Sequence, residues 1–234
     1  MKMLRTPLFV LAFWAVFMFS CSPFIEDKEI EDAKGENVPF PTKEQLDKRY
    51  AAEWNKSVYQ QAKTAKGTDY LTDVEKEVYY YLNLVRLNPA LFARTYATGF
   101  EGDKGWSHGY AWDERKKSLI QTLSGMTAIG LIYPDEALFQ TAHCFAYEGG
   151  KLGLVGHDRS QTSCAVDYHA ECCTYGGAKN GLSIIMSFLI DAGENNAELG
   201  HRRILLDSRY DKLGAAIQPH SSYGIISVLD FKRK

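Results

Sequence analysis

The sequence lacks most of the signatures that announce an activity by themselves. None of its 234 residues fall into an H-E-x-x-H pair or a phosphate-binding loop. That argues against the common zinc-protease and nucleotide-hydrolase classes. A basic patch is missing too: formal net charge is −2 and the isoelectric point is near 6.3, so nucleic acid is not an expected partner. The five cysteines contain no C-x-x-C pair, which speaks against a zinc ribbon. The apolar run from Leu8 to Phe19 is shorter than the roughly 20 residues needed to span a bilayer. No internal repeat is present. What the chain does have is 45% hydrophobic and 13% aromatic residues, enough for one substantial core.

The N-terminus carries an export pattern. Lys2 and Arg5 precede Leu8–Phe19, and the small Ser20 stands directly before Cys21. A charged start, a short apolar run and a small residue before a break describe an export signal. The Ser20-Cys21 step resembles the bacterial lipoprotein signal, in which the cysteine becomes the lipidated first residue. Ordinary secretion with cleavage nearby is the alternative. The expectation is a signal peptide over 1–20 and a mature chain held to the membrane through lipidated Cys21. Its place would be the cell envelope, as an outer-membrane or surface-exposed lipoprotein. Losing Lys2 and Arg5 takes the net charge to −4. Export also changes how Cys144, Cys164, Cys172 and Cys173 read. In an oxidising compartment this even set predicts disulfides, with three connectivities open. Adjacent Cys172 and Cys173 are poor partners for each other because the ring they would close is strained.

Residues 22–40 are acidic and poor in large aliphatics, as in a solvated tether. Lys43 to Lys66 follows with Leu46, Tyr50, Trp54 and Val58 at four-residue spacing, the pattern of a surface helix. Together these give an acidic tether and helical segment over 21–70. Thr72-Asp73-Val74-Glu75 is a capping box. It opens a helix whose face is Val74, Val78, Tyr81, Leu82 and Val85, stopped at Asn88-Pro89. Ala90 to Ala97 restarts a helix, Phe100 to Lys117 reads as a loop insertion, and Leu119 to Met126 as a helix. Pro134-Asp135-Glu136 starts another, with Leu138, Thr141, Ala142, Phe145 and Ala146 inward and Gly149-Gly150 at its end. After Asn180, the residues Leu182, Ile185, Met186, Leu189 and Ile190 make the strongest helical stripe. Lys212–Gln218 and Tyr223–Phe231 read as an antiparallel strand pair around Pro219-His220-Ser221-Ser222. Helices first and strands last point to an α+β or layered α/β/α domain.

Several pieces, in order, resemble a known family. They are Tyr81-Leu82-Asn83-Leu84-Val85-Arg86-Leu87-Asn88-Pro89, Leu131-Ile132-Tyr133-Pro134-Asp135-Glu136-Ala137-Leu138, Gly156-His157, Ala170-Glu171, Phe188-Leu189-Ile190-Asp191, Gly200-His201-Arg202 and the closing Asp230-Phe231. The ordered set resembles the CAP superfamily, the SCP-like extracellular domain of cysteine-rich secretory, antigen 5 and pathogenesis-related proteins. The match covers residues 71–234. It implies a three-layer α-β-α sandwich with a central antiparallel sheet. It also implies a cleft holding two histidines and two acids: His157, Glu171, Asp191 and His201. Asp191 stands where many members carry glutamate, and Glu194 or Glu198 could complete the tetrad instead.

Two imidazoles with two carboxylates suit zinc or another divalent metal, held here by His157, His201 and Glu171. Alternatively, the two histidines cap helix ends and pair with acids structurally. His143, His169 and His220 read as surface or packing residues. Ser160 and Ser163 follow His157 without any base to orient them. Gly176–Gly181 is a turn and N-cap before it is an anion loop. The leading functional expectation is a binding protein that takes a small apolar molecule, peptide or glycan. A metal-assisted hydrolase with Glu171 as base and a surface protein with a vestigial tetrad are the alternatives.

Overall fold

The computed structural model describes residues 42–102, 112–177, 180–192 and 199–234. The expected signal peptide, the lipidation site Cys21 and the acidic stretch after it lie outside these residues, as do Glu194 and Glu198. The described chain is mixed α/β, with a four-stranded sheet.

The N-terminal segment departs from the expected single surface helix. It breaks into α1 (Lys43–Arg49), α2 (Ala51–Trp54) and a 3-10 helix (Ser57–Ala62). Leu46 and Trp54 are buried while Val58 is exposed. The Trp54 indole donates to Thr95 and its ring packs on Tyr59 and Tyr96. Leu46, Trp54, Tyr59, Ala62 and Ala65 thus share one core with the rest of the chain, so the packed body begins well before residue 71.

α3 (Asp73–Leu87) starts with the expected box: the Thr72 hydroxyl accepts from Glu75 N–H and the Glu75 carboxylate accepts from Thr72 N–H. Asn88 then caps α4 (Pro89–Phe92), with Pro89 at its first position where no N–H is needed. A π turn (Ala93–Ala97) follows. α5 (Trp112–Gly125) claims Trp112 to Lys117, read from sequence as loop, because Trp112 is buried against Phe100.

β1 (Tyr133–Pro134) leads into α6 (Glu136–Leu152), capped by Asp135 and closed by Gly153 at φ 72°. Gly149 and Gly150 lie inside α6 and do not end it. A Cβ on Gly150 would sit 2.3 Å from the Pro219 carbonyl oxygen, so glycine here permits close approach.

β2 (Ala170–Tyr175) and β3 (Tyr210–His220) both pair antiparallel with β4 (Gly224–Arg233), whereas β1 pairs parallel with β3. The sheet is therefore mixed and not wholly antiparallel. Gly214, Asp230 and Glu171 align in one row across it. α6 lies over that row: a Cβ on Gly214 would meet Leu138 at 2.1 Å, and the Thr141 hydroxyl donates to Asp230 at 2.7 Å. On the opposite side, Thr174 of β2 meets Ser187 of α7 (Gly181–Ile190) at 3.0 Å. α8 (Gly200–Leu205) follows α7 and leads to β3.

Candidate functional site: a cleft between two histidine–carboxylate pairs

His157 sits on the loop between α6 and β2, after Gly156 at φ 95°. Three attachments fix that loop. Cys144 of α6 forms a disulfide with Cys164, Glu148 accepts from the Ser163 N–H and hydroxyl, and the Tyr175 hydroxyl bridges Gly156 N–H and C=O. The His157 ring is half-exposed, and its Nδ1 lies 2.8 Å from Oε1 of buried Glu171.

Behind Glu171 stands a buried cation. Arg159 Nη2 donates to Glu171 Oε2 and reaches the two Asp230 oxygens at 3.0 and 3.2 Å. Nη1 donates to the carbonyls of Thr141 and Ala165. The guanidinium lies over the Phe145 and Tyr168 rings, 4.7 and 4.6 Å from their centres. Burial pushes Glu171 up, but bonds to His157 and Arg159 outweigh it and hold this carboxylate below its usual range. Asp230 goes the other way. Burial drives it up, Arg159 opposes, Glu171's charge adds to the rise, and it reaches about 7.

The second pair is built by helix ends. Asp191 closes α7 at φ 57°, a left-handed conformation that aspartate tolerates better than most residues. Its carboxylate accepts from His201 N–H at 3.2 Å and lies 2.8 Å from His201 Nδ1. Buried Arg202, the next residue, donates to the Leu189 and Ile190 carbonyls at 2.5 and 3.3 Å and to Ser118 at 3.0 Å. That ties α8 to α7 and α5. Phe188 packs edge-on to the His201 ring at 5.3 Å.

A cavity of about 280 Å³ has His157, Cys173, Tyr175, Phe188, Asp191 and His201 in its wall. Three of the four residues singled out from sequence therefore face one space, and Glu171 holds the fourth place from behind His157. Asp191 meets His201 directly, so its shorter side chain suffices. A larger hollow of about 550 Å³ lies beside Met126, Arg203, Asp207 and Tyr210; it holds no histidine–acid pair and shares only α8 with the cleft.

The cysteines differ from expectation. Cys144–Cys164 is the one disulfide among the described residues, and Cys172 and Cys173 form none. Their positions explain it. Neighbours on β2 point to opposite faces, and the disulfide leaves them no other described cysteine. Burial drives the Cys173 thiol well above its ordinary range, with the Glu171 charge adding to the effect.

Metal-ligating atoms gather in two places among the described residues: Cys144–Glu148–Cys164 and His157–Glu171–Cys173. The first contains the disulfide, which removes both sulfurs as ligands. The second omits His201, which shares the cavity but not the cluster. The other histidines among the described residues pack as expected: His143 stacks on Tyr147, His169 accepts from Arg233 N–H, and buried His220 contacts the Leu154 carbonyl.

Sequence reasoning assigned no role to Arg159, Asp230 or Cys173 at the site. The signal for Cys173 was available: residues 171, 173 and 175 share a face once Ala170–Tyr175 is a strand. Arg159 left no such trace, because its partners come from α6, β2 and β4. No family model, curated protein or solved structure matches this chain.

Proposed function

We propose that the chain is an exported, lipid-anchored CAP-type domain, an α-β-α sandwich. In this reading its histidine–acid cleft binds a small apolar molecule, peptide or glycan at the cell envelope. One observation carries the binding reading. Both imidazoles line a single cavity beside Tyr175 and Phe188, and each is fixed through Nδ1 on a buried carboxylate. Rigid polar groups beside aromatic walls are what a small-ligand site needs. The volume of about 280 Å³ suits a small molecule or one residue of a longer ligand. Native mass spectrometry of the full chain purified from its own envelope tests this. The expected result is a co-purifying ligand that is lost in His201→Ala and Phe188→Ala. A bare protein mass in both wild type and variants rejects the reading and leaves a vestigial tetrad. The anchor is tested separately: Cys21→Ser should release the chain from membranes.

A second reading, a metal-assisted hydrolase in the same cleft, has the convergence of His157 and Glu171 ligand atoms in its favour. Zinc or another divalent ion held there, with His201 across the cavity, would supply a Lewis acid and acidify a bound water. The residues fit a metal better than they fit the remaining chemistry. Glu171 is engaged by Arg159 and lies below its usual range, which makes it a weak general base and favours binding over turnover.

A further inference from the structure

We infer that Cys173 is a ligand in this cleft, and that His157, Glu171 and Cys173 form a site for a thiophilic divalent cation of the zinc class. The inference rests on the cleft being a binding site and adds the atoms through which it would hold such an ion. His157 Nδ1, Glu171 Oε1 and Cys173 Sγ all lie within 4.8 Å of one another. Nδ1 stands 2.8 Å from Oε1 and 3.8 Å from Sγ. Around a tetrahedral zinc, with bonds near 2.0–2.3 Å, those separations would be about 3.3 and about 3.6 Å. To admit the ion, Nδ1 and Oε1 would part by about 0.5 Å and Nδ1 and Sγ would close by about 0.2 Å.

The three atoms are also held from behind. Glu171 and Cys173 project from the same face of β2, whose ladder places them opposite Asp230 and Val228. Arg159 grips Glu171 Oε2, which leaves Oε1 presented to His157. The Cys144–Cys164 bridge and the Tyr175 hydroxyl hold the loop that carries His157.

Charge favours the same ion. A thiolate and a carboxylate together balance a dication, and sulfur with imidazole selects zinc over magnesium or calcium. On binding, the metal–sulfur bond replaces the S–H bond and the proton leaves to solvent; His157 binds with its own proton on Nε2. Three protein ligands leave a tetrahedral ion one position short of a closed shell.

Cobalt(II) chloride titrated into the full mature chain tests this, because cobalt reports thiolate ligation optically. The expected result is visible ligand-field bands together with a near-ultraviolet thiolate-to-cobalt charge-transfer band, both displaced by zinc. Cys173→Ser should lose the charge-transfer band and bind cobalt at least about tenfold more weakly, whereas Cys172→Ser should keep both. Ligand-field bands without charge transfer in the wild type would overturn the thiolate ligand and leave the cleft reading standing. A wild type that takes up no cobalt overturns the site as well, and the organic-ligand reading is then judged by co-purification alone. The wild-type spectrum decides these outcomes even if Cys173→Ser folds poorly.

Discussion

The two histidine–carboxylate pairs share a 2.8 Å contact between Nδ1 and a buried acid, yet what stands behind each acid differs. Glu171 is held by charge: a buried guanidinium shared with Asp230 fixes it on the sheet. Asp191 is held by backbone: it ends α7 in a left-handed turn and accepts from the backbone N–H of His201. Exposure differs in parallel, with side chains 52% exposed for His157 and 12% for His201. The same two residue types therefore serve a solvent-facing hand on one side and a packed wall on the other. Electrostatics secures the first and chain geometry the second.

The largest break should come from Arg159. Arg159→Met leaves Glu171 and Asp230 buried without their cation, and we expect a loss of about 3–5 kcal/mol in urea unfolding. A loss under about 1 kcal/mol would show that charge does not hold this side. On the other side, Asp191→Ala removes two bonds to His201 and places alanine at positive φ. The expected loss is about 1–3 kcal/mol, partly recovered by Asp191→Asn, which tolerates that conformation. Equal losses in the alanine and asparagine variants would contradict the geometric account.

Acidity separates the two sides more finely. Asp230 titrates near 7 in the fold and near 4 when unfolded, so between those values the folded chain binds the extra proton. Stability should fall as pH rises through that window, by on the order of 1 kcal/mol per unit, and level off above about 7. Glu171 is shifted downward; its stabilisation is lost only as pH falls below the ordinary carboxylate range. Asp230→Asn should flatten the slope between pH 4 and 7, and an unchanged slope would assign it to another group. The smallest contrast is between the histidines themselves. His157→Ala should stay within about 0.5 kcal/mol of wild type, as exposed substitutions do, and His201→Ala should cost about 1 kcal/mol or more. A reversed order in paired thermal melts would undo the distinction between hand and wall.

What was legible in the sequence follows from how local the governing physics is. The capping box at Thr72, the cap at Asn180 and the stripe Leu182–Ile190 rest on neighbours within a few residues, and the helices lie where the pattern put them. The 43–66 segment misled because four-residue spacing gives a face without saying whether the helix is continuous. Gly149-Gly150 misled because a glycine required by a neighbouring strand looks the same in sequence as one that stops a helix. At the site, the histidines and their acids stood out by residue type. Arg159 did not, since a buried arginine and a surface arginine are the same letter until α6, β2 and β4 surround it.

One row of the sheet has a consequence for how the chain finds its alignment. Gly214, Asp230 and Glu171 lie abreast beneath α6. A β2 displaced by one residue along β4 would bring Ala170 or Cys172 opposite Asp230 in place of Glu171 and turn the cleft face outward. Apolar burial alone would barely resist this, because Ala170, Cys172 and Cys173 are all small enough for either face. Arg159 would resist it, since in any displaced pairing it loses one of its two carboxylates. The buried ions act as a proofreading step: they cost desolvation, and they admit one register.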